Sequence, residues 1–141
     1  MCALIKISGI DYTIRHTGPY DTNKNSSHYP LTYDPYEKIF YEGFWHSSEE
    51  PHFPFPLGTN TKLDPEFIRR MKYLVRRYHI VMYLGYSTCR LCGYDRNGDS
   101  DCGIRGDGKV FLFPNGIVHY YEAHNVLPSE EFYNFVMRIK M

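Results

Sequence analysis

The chain has 141 residues, with 16 Lys plus Arg against 16 Asp plus Glu, so its formal net charge is zero. That length suits one domain with its own core, and the neutral balance lacks the basic excess that usually marks a protein living on nucleic acid. No run of about 18 apolar residues is present to span a membrane, and four cysteines are too few for a disulfide scaffold of this size.

Aromatic content is high, with 14 Tyr, 9 Phe and the single Trp45. Large rings with polar tips suit a core that reaches the surface, or a contact surface for a protein partner. The apolar run in Met1–Lys6 is too short for a signal peptide. A reducing intracellular setting, cytoplasm or nucleus, is therefore expected.

Residues 1–62 read as a strand followed by an irregular wrap. Within 3–16, Ile10, Tyr12 and Ile14 alternate with Asp11, Thr13 and Arg15, the period of a half-buried strand. From 17 to 62, Pro19, Pro30, Pro35, Pro51, Pro54 and Pro56 fix φ and remove donors, which breaks regular elements. The same stretch carries Tyr33, Tyr36, Phe40, Tyr41, Phe44, Trp45, Phe53 and Phe55, too many rings for a disordered tail. It reads as an aromatic-pinned wrap with one short helix near 35–42.

The clearest helix occupies 63–79. Asp64 is a good N-cap, Pro65 suits the first helical position, and Glu66 favours the positive helix start. Leu63 and Ile68 are placed as a hydrophobic staple across that cap. Phe67, Met71, Leu74, Val75 and Tyr78 form one apolar stripe, with Arg69, Arg70, Arg76 and Arg77 mostly on other faces. Those arginines, with Arg90, are candidate phosphate contacts; in a neutral chain a solvated face of an amphipathic helix is the favoured explanation for the four on the helix.

Residues 80–126 carry the chemistry. Ile80–Tyr86 is rich in β-formers and leads into Cys89-Arg90-Leu91-Cys92-Gly93. Two thiolates at C-x-x-C spacing grip one ion when a tight turn points both sulfurs inward, and the following Gly permits the left-handed backbone such a turn needs. Asp107-Gly108 is a two-residue turn signal before the strand Lys109–Phe113, with 97–105 as partner strand or loop. Asn115 is placed to cap a helix that carries His119 and His124. Their spacing is accepted in Cys2His2 zinc sites, where the last turn loosens to aim the second imidazole. Cys89, Cys92, His119 and His124 are thus the expected Zn2+ ligands, with Cys102 as a substitute for His119. The last segment, 127–141, holds a helix over about 129–139, with Phe132, Phe135, Val136 and Ile139 on one stripe.

The order knuckle, hairpin, helix over about 86–126 resembles the treble-clef zinc finger. The longer pattern, Cys-Arg-x-Cys-Gly followed by Phe-Pro-x-Gly-x-x-His-Tyr-x-x-x-His, looks like one found in small uncharacterised proteins of bacteria and large DNA viruses. The resemblance implies a fold, and a viral origin is compatible with the composition, but it implies no activity.

Four soft or imidazole ligands close a zinc site, which favours a structural ion. Glu122 lies between the histidines, but His-Tyr-Tyr-Glu-Ala-His does not match the H-E-x-x-H spacing that puts a Glu beside a zinc-bound water. Residues 93–118 contain no His to serve as the hairpin base of a finger-type nuclease. The Gly-rich stretch Gly103–Gly108 lacks the Lys-Ser/Thr of a P-loop. The expected molecule is an α+β domain in which a treble-clef-like zinc unit packs on an amphipathic helix beside an irregular aromatic-rich N-terminal wrap. Its expected role is non-catalytic contact with a protein; nucleic-acid binding and a small metal-dependent hydrolase or nuclease are the alternatives.

Overall fold

The computed structural model describes residues 3–5, 10–13, 38–106 and 108–141. The fold is mixed α+β. Its strands are β1 (Ala3–Ile5), β2 (Ile10–Thr13), β3 (Lys38–Tyr41), β4 (His79–Met82), β5 (Ser100–Gly106) and β6 (Lys109–Pro114); its helices are α1 (Pro65–Arg77), α2 (Ile117–His124) and α3 (Glu130–Arg138). Four strands in the order β3-β6-β5-β4 form the part of the sheet that bears on the site, and β2 then β1 continue beyond β3. β3 runs parallel to β6, while β5 is antiparallel to both β6 and β4.

Strand alternation sorts the interior into two layers. On one face, Phe40, Cys102, Phe111 and Phe113 meet Phe67, Met71 and Leu74 of α1, Ile117 and Tyr121 of α2, and Phe132, Phe135 and Val136 of α3. Phe111 stacks on Phe135 with ring centroids 3.9 Å apart. On the other face, Ile39, Ile80, Val110 and Leu112 are covered by Phe44, Phe53, Tyr41 and Val81. Each fully buried ring or aliphatic chain stabilises the fold by roughly 1.5–3 kcal/mol, so the domain has a core independent of any metal.

Local rules explain the helices. The Asp64 carboxylate accepts from the Glu66 N–H at 2.9 Å, Pro65 occupies the first turn, and Arg76 and Arg77 end the helix. Ser129 caps α3 by accepting from the Phe132 N–H at 3.3 Å. Glu42, only 1% exposed, is held at the same place. Its carboxylate accepts from the Ser129 N–H and the Ser129 hydroxyl, each at 2.8 Å, which ties the end of β3 to the start of α3.

Three expectations change. The helix near 35–42 is replaced over 38–41 by β3, because Ile39 and Phe40 are buried on opposite faces of the sheet, which a helix turn cannot arrange. The strand from Ile80 shifts to His79–Met82 and stops there; Tyr83, Leu84 and Tyr86 are exposed. Asn115 does not cap α2, whose N-cap is Gly116 with no side-chain hydrogen bond. Ile14–His16, the 17–37 part of the wrap, and Asp107 of the turn lie outside the described residues. Over 42–62 the wrap has no helix or strand. No helix among the described residues is long and apolar enough to cross a membrane.

Candidate metal centre

The knuckle is a closed turn. Gly93 donates its N–H to the Cys89 carbonyl at 3.0 Å, and Cys89 donates its own to Tyr94 at 2.8 Å. Gly93 takes φ +78°, the left-handed region that the sequence assigned to it. The Leu91 N–H points back to Cys89 Sγ at 3.4 Å, a donor suited to a thiolate. Reciprocal bonds between Ser87 and the 97–98 segment, both 2.9 Å, fasten the knuckle to the loop before β5.

That loop is in turn locked to the start of α2. Asn115 Oδ1 accepts from the Asp99 and Ser100 N–H groups at 3.0 and 3.2 Å, and its amide donates to Asp99 Oδ1 at 3.2 Å. The two loops touch backbone to backbone. A Cβ on Gly98, which has φ +87°, would lie 2.2 Å from Asn115 Oδ1, and one on Gly116 would lie 2.3 Å from the Asn97 carbonyl. Asn115 therefore fixes where α2 begins by bracing the neighbouring loop rather than by capping the helix.

His119 lies in the first turn of α2 and His124 is its last residue. The helix stops on Asn125 in the left-handed conformation, φ 50°, with the Val126 N–H reaching the Tyr120 carbonyl at 3.1 Å. The wrap holds this end: Thr59 donates its N–H to the His124 carbonyl at 3.2 Å and its hydroxyl to the Asn125 carbonyl at 2.6 Å.

These elements bring Cys89, Cys92, His119 and His124 together, one donor atom from each lying within 4.8 Å of all the others, close enough to hold a metal ion. Cys89 Sγ is 3.5 Å from His124 Nε2, and Cys92 Sγ is 3.4 Å from His119 Nε2. Cys89 is buried, the histidines are half-buried, and Cys92 is exposed. Burial, then the adjacent His124, hold the His119 imidazole below its ordinary pKa, which favours the neutral form that ligates metals. The Tyr120 phenol, pushed up to about 12 mainly by burial and also by Cys89, stays protonated beside the Cys89 sulfur.

Cys102 does not join them. It is fully buried in the helix-side core, its thiol reaches the Val75 carbonyl at 3.8 Å, and burial pushes its pKa far up. It is a packed thiol that cannot replace His119. Strand alternation, which faces Cys102 toward Phe113 and α1, is the physical reason.

The arginines divide. Arg90 donates to the His46, Thr88 and Trp45 carbonyls and to the Ser87 hydroxyl, at 2.5–3.5 Å, so it is an internal strut. Arg70 donates to the Val136 and Ile139 carbonyls at 3.2 and 2.5 Å, closing the end of α3. Arg69 is paired with Glu66 at 2.6 Å, Arg77 lies over Tyr73 at 4.9 Å, and Arg76 is exposed. His79, first residue of β4, bonds the Ser100 hydroxyl at 2.8 Å. Glu122 pairs with Lys72 at 2.7 Å.

Sequence reasoning missed Tyr120, whose hydroxyl accepts the Arg90 N–H at 2.8 Å and whose ring meets Trp45 at 5.9 Å. Its position immediately after His119 was the available signal. No curated protein and no solved structure matches the chain. A family model described as a domain of unknown function (DUF7919) matches residues 45–137, which include the four metal-ligand candidates and most of the elements that carry them. The chain belongs to the DUF7919 family.

Proposed function

We propose that Cys89, Cys92, His119 and His124 hold one structural zinc ion, and that the treble-clef-like unit it fastens serves contact with a protein partner. The carrying observation is metric. Zn–S and Zn–N bonds of about 2.3 and 2.0–2.1 Å give a tetrahedral S···N edge of about 3.5 Å, and the two closest sulfur–nitrogen pairs here are 3.5 and 3.4 Å apart. Two thiolates and two imidazoles suit zinc in a reducing compartment and leave no position for a reacting water.

A non-catalytic role fits the surroundings. Glu122, the residue nearest in sequence to act as a base, is engaged with Lys72. Protein contact is supported by the exposed large apolar side chains that lead into and decorate the knuckle: Met82, Tyr83, Leu84, Tyr86, Leu91 and Tyr94. Such a cluster on a small domain marks a contact surface. Nucleic-acid binding would have to rest on α1, since Arg70 and Arg90 are spent on protein acceptors. Binding that weakens steeply with salt would favour it over a protein partner.

The test is elemental analysis of protein purified without added metal, together with Cys92→Ser. About one zinc per chain is expected, lost in the variant with local loosening of the 87–97 knuckle and the His124 end of α2, while α1 and the helix-side core, which includes Phe111, Phe113 and Tyr121, persist. A Cys92→Ser protein that keeps its full zinc complement sinks the assignment.

A further inference from the structure

A cavity of about 900 Å³ opens where the Tyr41, Phe44 and Phe53 side of the sheet meets the start of α2, and none of the four metal-ligand candidates lines it. Its size is that of a small-molecule site. Alternation along β5 turns Asp101 to this face, opposite Cys102. Asp101 is 6% exposed and lies across from Pro114 on β6, which has no N–H to offer. The Tyr83 hydroxyl donates to its Oδ2 at 2.6 Å, which uses one of about four acceptor positions on a carboxylate.

Aromatic rings line the same cavity as this acid. Tyr41 meets Phe44 edge-on at 5.4 Å, and Phe44 stacks with Phe53 at 6.0 Å. Among the described residues, the charged side chains lining the cavity are Asp99, Asp101 and Glu50 against Arg90 and His52, with His52 already paired to Glu50 at 3.4 Å. Arg90 has its donors committed to His46, Ser87, Thr88 and Trp45. Aromatic faces attract cations, and a buried carboxylate without a cationic partner is costly. We infer that this cavity binds a small organic cation, an ammonium or guanidinium group on an apolar body, with Asp101 as counter-ion and Tyr41, Phe44 and Phe53 as the aromatic wall. Burial raises the Asp101 carboxyl to about 6 while the Tyr83 hydrogen bond pulls it back, and among the described residues no cation is paired with it.

Trp45 lines the same cavity and is the chain's one tryptophan, so its fluorescence reports occupancy. The full chain, purified with its metal, is titrated with benzyltrimethylammonium, benzyl alcohol and benzoate, and read by Trp45 emission and ligand-observed NMR. Saturable binding of the cation at millimolar concentration or below is expected. The alcohol should bind roughly tenfold or more weakly, and benzoate should not bind. Asp101→Asn should weaken the cation about tenfold while binding the alcohol as before. Equal affinity for cation and alcohol, or no saturable binding of the cation, overturns the proposal. That comparison uses the unmodified chain and stands even if the variant fails to fold.

Discussion

The backbone N–H of Arg90, inside the knuckle, donates to the Tyr120 hydroxyl of α2 at 2.8 Å. This bond directly joins the two halves of the candidate metal centre. It fixes the knuckle against the helix, and the Arg90 side chain extends the same strut to His46 and Trp45. Preorganisation of this kind lowers the ordering cost that metal binding would otherwise carry.

Tyr120→Phe tests the strut. The ring and its contact with Trp45 remain, but the part-buried Arg90 N–H loses its acceptor. A cost of about 1–3 kcal/mol in unfolding free energy is expected. Zinc affinity should fall roughly 10- to 100-fold, as for other groups that orient ligands from behind. Denaturant unfolding of the metal-loaded protein and competition with a chromophoric chelator measure the two effects. Unchanged affinity would mean that the hydroxyl does not orient the site.

Thiol reactivity offers a second check. Cys89 is 2% exposed, Cys92 is exposed and Cys102 is fully buried. Of Cys89, Cys92 and Cys102, a thiol reagent with chelator present should modify Cys92 first and Cys102 last, since burial holds the Cys102 thiol protonated. Added zinc should protect Cys89 and Cys92 and leave the slow Cys102 rate unchanged. Mass spectrometry of the modified chain over time gives the order; fast labelling of Cys102 in folded protein would contradict its placement in the core.

The quartet was legible in the sequence because each ligand pair sits within one short element and needs only local spacing to be read. The α1 boundaries were legible for the same reason, through Asp64, Pro65 and the Phe67, Met71, Leu74 stripe. What escaped was non-local. Lys38–Tyr41 was taken for helix because its burial on two faces exists only when β6 lies alongside. Asn115 was taken for a cap because its true partners, Asp99 and Ser100, are 15 or 16 residues away. Cys102 could be ruled out as a ligand only once β5 alternation was known. The Asp101 cavity depends on that alternation and on a loop from 43–53 folding across the sheet.

Gly98→Ala should be among the most damaging small substitutions. The residue has φ +87°, and its new Cβ would lie 2.2 Å from Asn115 Oδ1 and 2.6 Å from the Gly116 nitrogen. The second of these is backbone and cannot swing aside. A loss of roughly 2–4 kcal/mol is expected, with weakened metal binding because the 97–100 loop anchors both the knuckle and the start of α2. Gly85→Ala is the control, since an added Cβ there meets nothing within 4 Å. Thermal unfolding of the pair should separate them by several degrees or more for a domain of this size.

The buried Asp101 predicts an opposite sign to ordinary acid denaturation. Its folded pKa is raised from 3.8 to about 6, chiefly by burial. The folded state therefore holds a proton that the unfolded state has released between those values. The group's contribution to stability is complete below the unfolded pKa and is lost as pH rises through the folded one. About 2–3 kcal/mol is at stake over that window. Asp101→Asn cannot titrate, so the stability of wild type minus variant should fall as pH climbs from 3.8 to about 6. Taking the difference removes contributions shared by both proteins, including His119, whose depressed pKa acts in the other direction. Chemical denaturation across that range, without added cations of the benzyltrimethylammonium type, gives the curve. A flat difference would show that Asp101 is hydrated, and would also weaken its role as a buried counter-ion waiting for a cation.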